Sequence, residues 1–141
     1  MCSVVPESPF QFTSPVLAYL EFIPNQDFQA PLGQEVQTQI RMGVAVDKRN
    51  DAPEATVKLT VKIGENDSNY PFFLCAVEKA DFRWGNDLSD EIVKRLLDQN
   101  APTLLLSYLR SVIVQITGAS TYGVCHIPFV NFAQFIETKQ V

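Results

Sequence analysis

Apolar and polar residues alternate along much of the first 84 positions, which is the pattern of β-strands with one buried face. The alternation is clearest over residues 57–63, where lysine and threonine separate valine, leucine and isoleucine. Other predicted strands cover residues 16–23, 34–47 and 71–84, with loops rich in Gly, Pro, Asn and Asp between them. The first fifteen residues hold three prolines and predict an extended or disordered arm, so residues 16–141 form a single folded domain.

Beyond residue 85 the apolar period changes from two residues to about 3.6, which predicts helices. A short helix is capped by Ser89 or Asp87, a long helix runs from Pro102 to about Thr117 with Asn100 as its cap, and a last helix covers residues 132–138 with Asn131 as its cap. Four strands followed by helices are typical of an α+β domain. We therefore predict the α+β class.

The long predicted helix carries apolar residues almost all the way round its circumference. A surface helix of a soluble domain has one apolar stripe, and an apolar circumference must be covered on more than one side. One sheet covers only one side, so we predict that another copy of the chain covers the other. The residues predicted to contact this copy are Leu105, Leu109, Val112, Ile113 and Ile116.

Composition and charge limit the partners of the chain. Its 141 residues are 46% hydrophobic and only 19% charged, which fits one domain that keeps some apolar surface for partners. The net charge is −5 and no basic run occurs, which argues against nucleic acid and acidic membrane surfaces. No signal peptide or membrane span is predicted, and three cysteines without a CxxC pair suit a reducing compartment, so we expect a cytoplasmic protein.

No residue pattern predicts an active site. The one histidine, His126, follows Cys125 on an extended segment, where neighbouring side chains point to opposite faces. Asp87, Asp90 and Glu91 stand at the start of a helix, where acids act as caps and dipole partners. The six glycines form no phosphate-binding motif. We predict that the protein is not an enzyme and binds no cofactor and no metal.

Four segments, in order along the chain, resemble motifs of the SecB chaperone family. Residues 100–110 (NAPTLLLSYLR) resemble the Cys-Pro-x-x-Leu-Phe-Pro-Tyr-x-Arg start of the family's main helix, and residues 130–136 (VNFAQFI) resemble its Val-Asn-Phe-x-x-Leu-Phe segment. Residues 73–77 (FLCAV) resemble its Phe-Leu-Cys-x-Val strand, and residues 28–31 (FQAP) resemble its Phe-x-Ala-Pro. Together they span about residues 16–137.

The resemblance implies a four-stranded antiparallel sheet with a long helix and short helices packed on one face. It implies a homotetramer built as a dimer of dimers, and a chaperone that holds unfolded or precursor polypeptides for export in apolar grooves. At the matched positions, Tyr108 and Phe132 would line the groove, with Phe28, Phe73 and Leu74 as further candidates.

Some departures from the family affect the expected partners. Acids that help the family deliver cargo to the SecA motor are replaced here by Asn25, Gln29 and Ala76, and no acidic tail follows the last predicted helix. Weaker attraction to a basic partner lowers our expectation that SecA binds. Two alternatives stay open. One is a SecB-like chaperone for another client, such as an antitoxin; the other is a small-ligand-binding or structural α+β domain whose aromatic residues are all internal.

Overall fold

The computed structural model describes residues 2–29 and 39–134. Its strands are β1 (Phe10–Phe12), β2 (Val16–Pro24), β3 (Ile40–Lys48), β4 (Glu54–Ile63) and β5 (Phe72–Trp84). The helical elements are α1 (Asp90–Arg95), a π turn (Leu96–Asn100) and α2 (Ala101–Gly118). The α+β prediction is confirmed, with one antiparallel sheet and the long helix packed against it. Residues 34–38 of the second predicted strand lie outside the described part of the chain.

The sheet has five strands but is only four strands wide. β3 pairs with β4, β4 pairs with β5, and the far edge of β5 pairs first with β2 and then with β1. β1 and β2 therefore form one edge row, interrupted at residues 13–15 by a segment that holds Pro15. Proline has no N–H for a ladder, so it is tolerated at such breaks in an edge strand.

β1 lies within the segment predicted to be an arm, and this prediction missed it. Phe10 pairs with Trp84 and Phe12 pairs with Phe82. The ring of Phe10 stacks on the ring of Phe82, with 5.4 Å between centroids. Burial of this aromatic ring stabilises a strand of three residues that local sequence alone does not indicate.

The two faces of the sheet differ in chemistry. On the inner face, which carries Leu59, Leu74 and Phe82, the side chains are buried under α1, the π turn and α2. The outer face carries the alternate residues of each strand, among them Lys58 and Lys62 of β4. This division follows the alternation read from the sequence, because successive side chains of a strand point to opposite faces.

The helices form one continuous helical segment, which corrects one predicted boundary. Ser89 caps α1 as predicted, accepting a hydrogen bond from the backbone N–H of Ile92 at 3.3 Å. Asn100 is not a cap, because its backbone is helical and its side chain makes no capping hydrogen bond. The π turn brings the chain to Pro102, whose missing N–H would break an ordinary α-helical ladder.

α2 buries one side of its circumference against the sheet, and this corrects the predicted oligomer contact. Leu105, Leu109 and Ile113 are 0% exposed and belong to the core of the single chain. A side chain without accessible surface cannot touch another copy, so these three are core residues rather than interface residues. Val112 and Ile116 keep part of their surface exposed, and their contact with a second copy stays a prediction.

The remaining side of α2 is less apolar than the sequence suggested. Its exposed residues include Ser107, Ser111 and Gln115, while Tyr108 is 43% exposed. The predicted last helix begins at Phe132, and Oδ1 of Asn131 caps it by accepting from the N–H groups of residues 133 and 134. Its later residues lie outside the described chain. In the described residues, no helix is both long and apolar enough to cross a membrane.

Candidate functional site

An apolar groove lies between the inner side of β3 and the extended segment that follows α2. It has a volume of about 210 Å³. Its lining residues are Ile40, Met42, Ile127, Pro128 and Val130. None of these five side chains is charged or carries a hydrogen-bonding group, so the groove offers a ligand only apolar contact from side chains.

α2 holds the second wall of this groove through polar side chains. The Arg110 guanidinium donates hydrogen bonds to the carbonyl oxygens of Ile127 at 3.3 Å and Pro128 at 2.6 Å. The buried hydroxyl of Thr117 accepts from the N–H of Cys125 at 2.9 Å and donates to the carbonyl of Ile113 at 2.7 Å. Side chains of α2 therefore hold this segment in place at Cys125 and at Ile127 and Pro128.

Backbone groups at the groove complement its apolar side chains. The N–H of Gly64 donates to the carbonyl of Gln39, and the N–H of Arg49 donates to the carbonyl of Glu54. Hydrogen-bonded pairs alternate along an antiparallel ladder, so the backbone groups of Ile40 and Met42 point away from β4. Among the described strands β3 pairs only with β4. An extended peptide could therefore add its own backbone hydrogen bonds at this edge.

Two exposed aromatic side chains, Phe129 and Tyr108, differ in how close they lie to the groove. Phe129 is 100% exposed, next to the wall residues in sequence, with the Arg110 guanidinium 5.9 Å from its ring centroid. Tyr108 is exposed on α2, the helix that holds the wall, but it does not line the groove. The Phe129 side chain therefore takes no part in the packing of the described core.

The structure does not bring the five predicted peptide-binding residues together. Leu74 is fully buried on the inner face, and Phe132 is buried in the core, so the prediction that they line a surface groove is corrected. Phe73 lies on the outer face, and Phe28 makes an edge-on contact with the Tyr122 ring. Tyr108 is the most exposed of the five. Apolar motif residues of this kind serve packing as readily as binding, and only burial separates the two roles.

The edge strand β2 presents a second apolar surface. Its residues Val16, Leu17, Tyr19 and Leu20 are all exposed. One edge of β2 pairs with β5, and no described strand pairs with its other edge. A long exposed apolar edge is a template for pairing with another chain.

Glu78 is a carboxylic acid on the inner face, beside the exposed part of β2. It is 4% exposed, and its cross-strand neighbours are Leu17 and Leu59. No described residue forms a salt bridge with it. Burial among apolar side chains raises the pKa of Glu78 above the ordinary value of 4.5. At a given pH this group therefore binds a proton more readily than an exposed glutamate does.

Replacing Glu78 with glutamine is expected to stabilise the fold at neutral and alkaline pH. The folded state binds this proton more tightly than the unfolded state, so wild-type stability falls as pH rises from about 4.5 through the raised pKa. Glu78→Gln removes that decline, because the amide does not ionise. Urea unfolding across pH 4–9 should show the variant gaining over wild type above roughly pH 5. The control Glu54→Gln removes an exposed carboxylate of β4; the same gain in both variants would contradict the assignment.

The sites examined for catalysis show ordinary structural roles. Cys125 is partly buried against the core and His126 is exposed, as expected for neighbours on an extended segment. Both line a cavity of about 270 Å³ with Tyr122 and Gly123. In the part of the chain that the structure describes, no three His, Cys, Asp or Glu side chains are grouped to hold a metal ion.

Comparison with known proteins gives the family. The model of the family described as preprotein translocase subunit SecB matches residues 23–141. This chain belongs to the SecB family. The resemblance read from the four sequence segments is thereby confirmed, and the function is that of a chaperone. SecB proteins are chaperones rather than enzymes. A search of curated proteins found no match.

One solved structure shares the fold of this chain at low sequence identity. A SecB-like chaperone of Mycobacterium tuberculosis, in complex with a ChAD peptide from the HigA1 antitoxin, matches with a TM-score of 0.68 and 13% identity. The match covers 86% of this chain and 91% of that one. A protein of unknown function from Streptococcus agalactiae matches with a TM-score of 0.46 and 13% identity, over 85% of this chain and 97% of that one.

Sequence reasoning missed the groove itself. In the strand predicted over residues 34–47, Met42 falls on the apolar face, but the pattern does not show that this face extends beyond the cover of α2. The one available signal for the second wall was Arg110, which lies in the family motif of the long helix. Its partners, Ile127 and Pro128, lie 17 and 18 residues further along the chain. Contacts between residues so far apart in sequence produce no periodic pattern from which they could be predicted.

Proposed function

We propose that this SecB-family chaperone holds unfolded polypeptide segments in the apolar groove between β3 and residues 127–130. The observation that carries the proposal is the combination of five apolar lining residues with the outward-pointing backbone of Ile40 and Met42. Apolar contact supplies affinity for many sequences, and backbone pairing selects an extended conformation. A folded client presents neither feature, so the groove favours unfolded chains.

The test is suppression of aggregation. A reduced, unfolded test protein is mixed with increasing amounts of the chaperone, and light scattering follows its aggregation. Suppression at near-stoichiometric ratio is expected, because each client segment occupies one groove. A small-ligand-binding or structural domain would leave the scattering unchanged. The same client in its native, disulfide-bonded form should not bind, which serves as the control for selectivity.

A chaperone devoted to one antitoxin is the second candidate. The SecB-like chaperone of Mycobacterium tuberculosis was solved with an antitoxin peptide and has the same fold over most of its length. For the present chain, the uncharged Asn25, Gln29 and Ala76 stand where the family has acids, which would weaken attraction to SecA and so also favours a client other than an export precursor. Pull-down from its own cytoplasm separates the two. One dominant client supports the antitoxin role, and many precursors support export.

The chaperone assembles with a second copy through β2. The support is the row of exposed apolar residues along an edge strand with one described partner, together with the partly exposed Val112 and Ile116 of α2. Pairing of two β2 edges would bury these residues and satisfy the backbone groups of both strands. A dimer of dimers follows if the exposed side of α2 then meets a second pair.

The double substitution Leu17→Lys and Leu20→Lys is expected to give a monomer. In an assembly the ammonium at position 20 would be buried opposite Ala76 without a carboxylate, and the ammonium at position 17 would be buried with only Glu78 opposite it, which weakens association by about tenfold to a hundredfold. Light scattering coupled to size-exclusion chromatography measures the molar mass of wild type and variant. The control Ile92→Lys adds a charge at an exposed apolar residue of α1 and should leave the mass unchanged. A wild-type monomer would contradict the proposed assembly.

A further inference from the structure

Gly43 stands in the middle of β3, where neither backbone conformation nor packing within the described chain calls for a glycine. The described glycines with positive φ are Gly64 and Gly123, so Gly43 has a backbone that other residues adopt. The register between β3 and β4 runs in step from Ile40 to Lys48, without a bulge at Gly43. A Cβ at this position would meet no atom within 4 Å. A glycine inside a strand weakens it, and commonly marks a place where a ligand or another backbone approaches closely.

A shallow pocket lies beside Gly43 on the outer face of the sheet. Its volume is about 210 Å³, which is below the range of roughly 300–1,000 Å³ typical of small-molecule sites and leaves room for one large side chain. The residues that line this outer pocket are Arg41, Met42, Gly43, Thr60 and Lys62. The Arg41 guanidinium contacts the Glu65 carboxylate at 2.7 Å, which fixes the side chain while its aliphatic stem adds apolar surface.

The outer pocket and the client groove lie on the two sides of the same strand, and Met42 lines both. The backbone groups of Ile40 and Met42 point away from β4, whereas those of Gly43 point toward it. In a client strand paired with Ile40 and Met42, one residue therefore stands opposite Gly43 in a non-hydrogen-bonded pair, with the two Cα atoms about 4.5 Å apart. Its side chain lies on the outer face, and the next residue of the client faces the groove.

We propose that the groove and the outer pocket bind one client strand together, and that Gly43 selects an aromatic residue in that strand. This inference rests on the proposed function, because it takes the client to pair with β3. An aromatic side chain across from a glycine on an edge strand covers the backbone that the glycine leaves bare. The Arg41 guanidinium and the Lys62 ammonium beside the pocket are groups that bind the face of an aromatic ring. The preferred client is thus an extended segment with an aromatic residue between apolar residues.

The binding experiment uses the fluorescein-labelled peptide Ser-Leu-Ser-Leu-Phe-Leu-Ser-Leu-Ser and follows its fluorescence anisotropy on the full chain. The sequence reads the same in both directions, so phenylalanine can stand opposite Gly43 whichever way the strand runs, with leucines facing the groove. Two further peptides carry alanine or leucine in place of phenylalanine. Wild type should bind the phenylalanine peptide about tenfold more tightly than the alanine peptide, and more tightly than the leucine peptide.

Gly43→Val places a side chain in the outer pocket, so it should bind the three peptides equally. Gly43→Ala adds only the Cβ that meets no atom, and should reduce the preference for phenylalanine in part. Neither variant should melt below wild type, because glycine is the less favourable residue in a strand. The control Ala45→Val adds apolar bulk to the same face of β3, at an exposed residue outside the pocket, and should keep the full preference.

Ile40→Ser separates this inference from the proposed function, because Ile40 lines the groove and not the outer pocket. It should weaken all three peptides by a similar factor and leave the ratios between them unchanged. A wild type that binds none of the peptides, or an Ile40→Ser variant that binds them as wild type does, would overturn the proposed client groove and this inference with it. With the groove intact, the role of Gly43 alone is overturned by a preference for phenylalanine that persists in Gly43→Val. Equal binding of the phenylalanine and leucine peptides to wild type overturns the selection of an aromatic residue.

Discussion

Leu109→Ala is expected to lower the free energy of unfolding by about 2–5 kcal/mol, the usual cost of a leucine-sized cavity in a packed core. Leu109 is 0% exposed in the single chain and lies in the core cluster beneath α2. Urea unfolding at one fixed protein concentration measures the change, because the concentration of an associating protein affects its apparent stability. The molar mass in solution should stay that of wild type.

Val112→Ala is the matched control on the same helix. Val112 keeps part of its surface exposed, so its truncation leaves a smaller cavity and should cost less than about 1.5 kcal/mol. If it contacts a second copy, the loss appears in the association constant instead. The core assignment fails if Leu109→Ala shifts the molar mass while the unfolding curve measured on dissociated chains stays in place.

The strands were largely predictable because their signal is local. A strand with one buried face must alternate, and β4 does so without exception, with every inner residue from Ala55 to Ile63 buried. β1 was not predictable. Its three residues, between Pro9 and Pro15, are too few to show the alternation of apolar and polar residues that predicts a strand. Phe10 is held in place by the ring of Phe82, more than seventy positions further along the sequence.

The long helix shows how an accurate pattern can support an incorrect assignment of contacts. Its apolar residues were correctly identified, and the sequence pattern could not say whether the same chain or a second copy covers them. The structure shows that the sheet covers Leu105, Leu109 and Ile113, and that the segment held by Arg110 and Thr117 packs beside the helix. We therefore place the proposed association surface on β2 rather than on the middle of α2.

The family resemblance predicted an apolar groove, and none of the five residues predicted for it lines the groove between β3 and residues 127–130. Tyr108 is exposed, as a groove residue would be, but it does not line this groove. Leu74 and Phe132 proved to be core residues, because motif similarity records which residues a family keeps and does not record why. The groove depends on Ile127 and Pro128 reaching β3, a contact set by the path of the chain after α2.

The double substitution Ile40→Ser and Met42→Ser is expected to remove most of the client holding while the fold is kept. Both residues are partly exposed and line the groove, so the main loss falls on apolar area that a client would cover. Burying a side chain of this size contributes roughly 1.5–3 kcal/mol when it is fully covered. Two partly covered side chains therefore give a loss of about 2–3 kcal/mol, which weakens client binding by roughly thirtyfold to a hundredfold.

Val46→Ser is the control for the substitution of Ile40 and Met42. Val46 lies on the same strand and the same face, it is exposed, and it does not line the groove. The Val46→Ser variant also loses an apolar side chain from β3, so any general loss of stability in this strand appears in the control variant as well. Client affinity is measured by competition against a labelled unfolded segment, and circular dichroism checks the fold of each variant. Equal losses at Val46 and at the groove pair would show that holding depends on total apolar surface. A loss confined to Ile40 and Met42 would show that it depends on the wall that Arg110 positions opposite them.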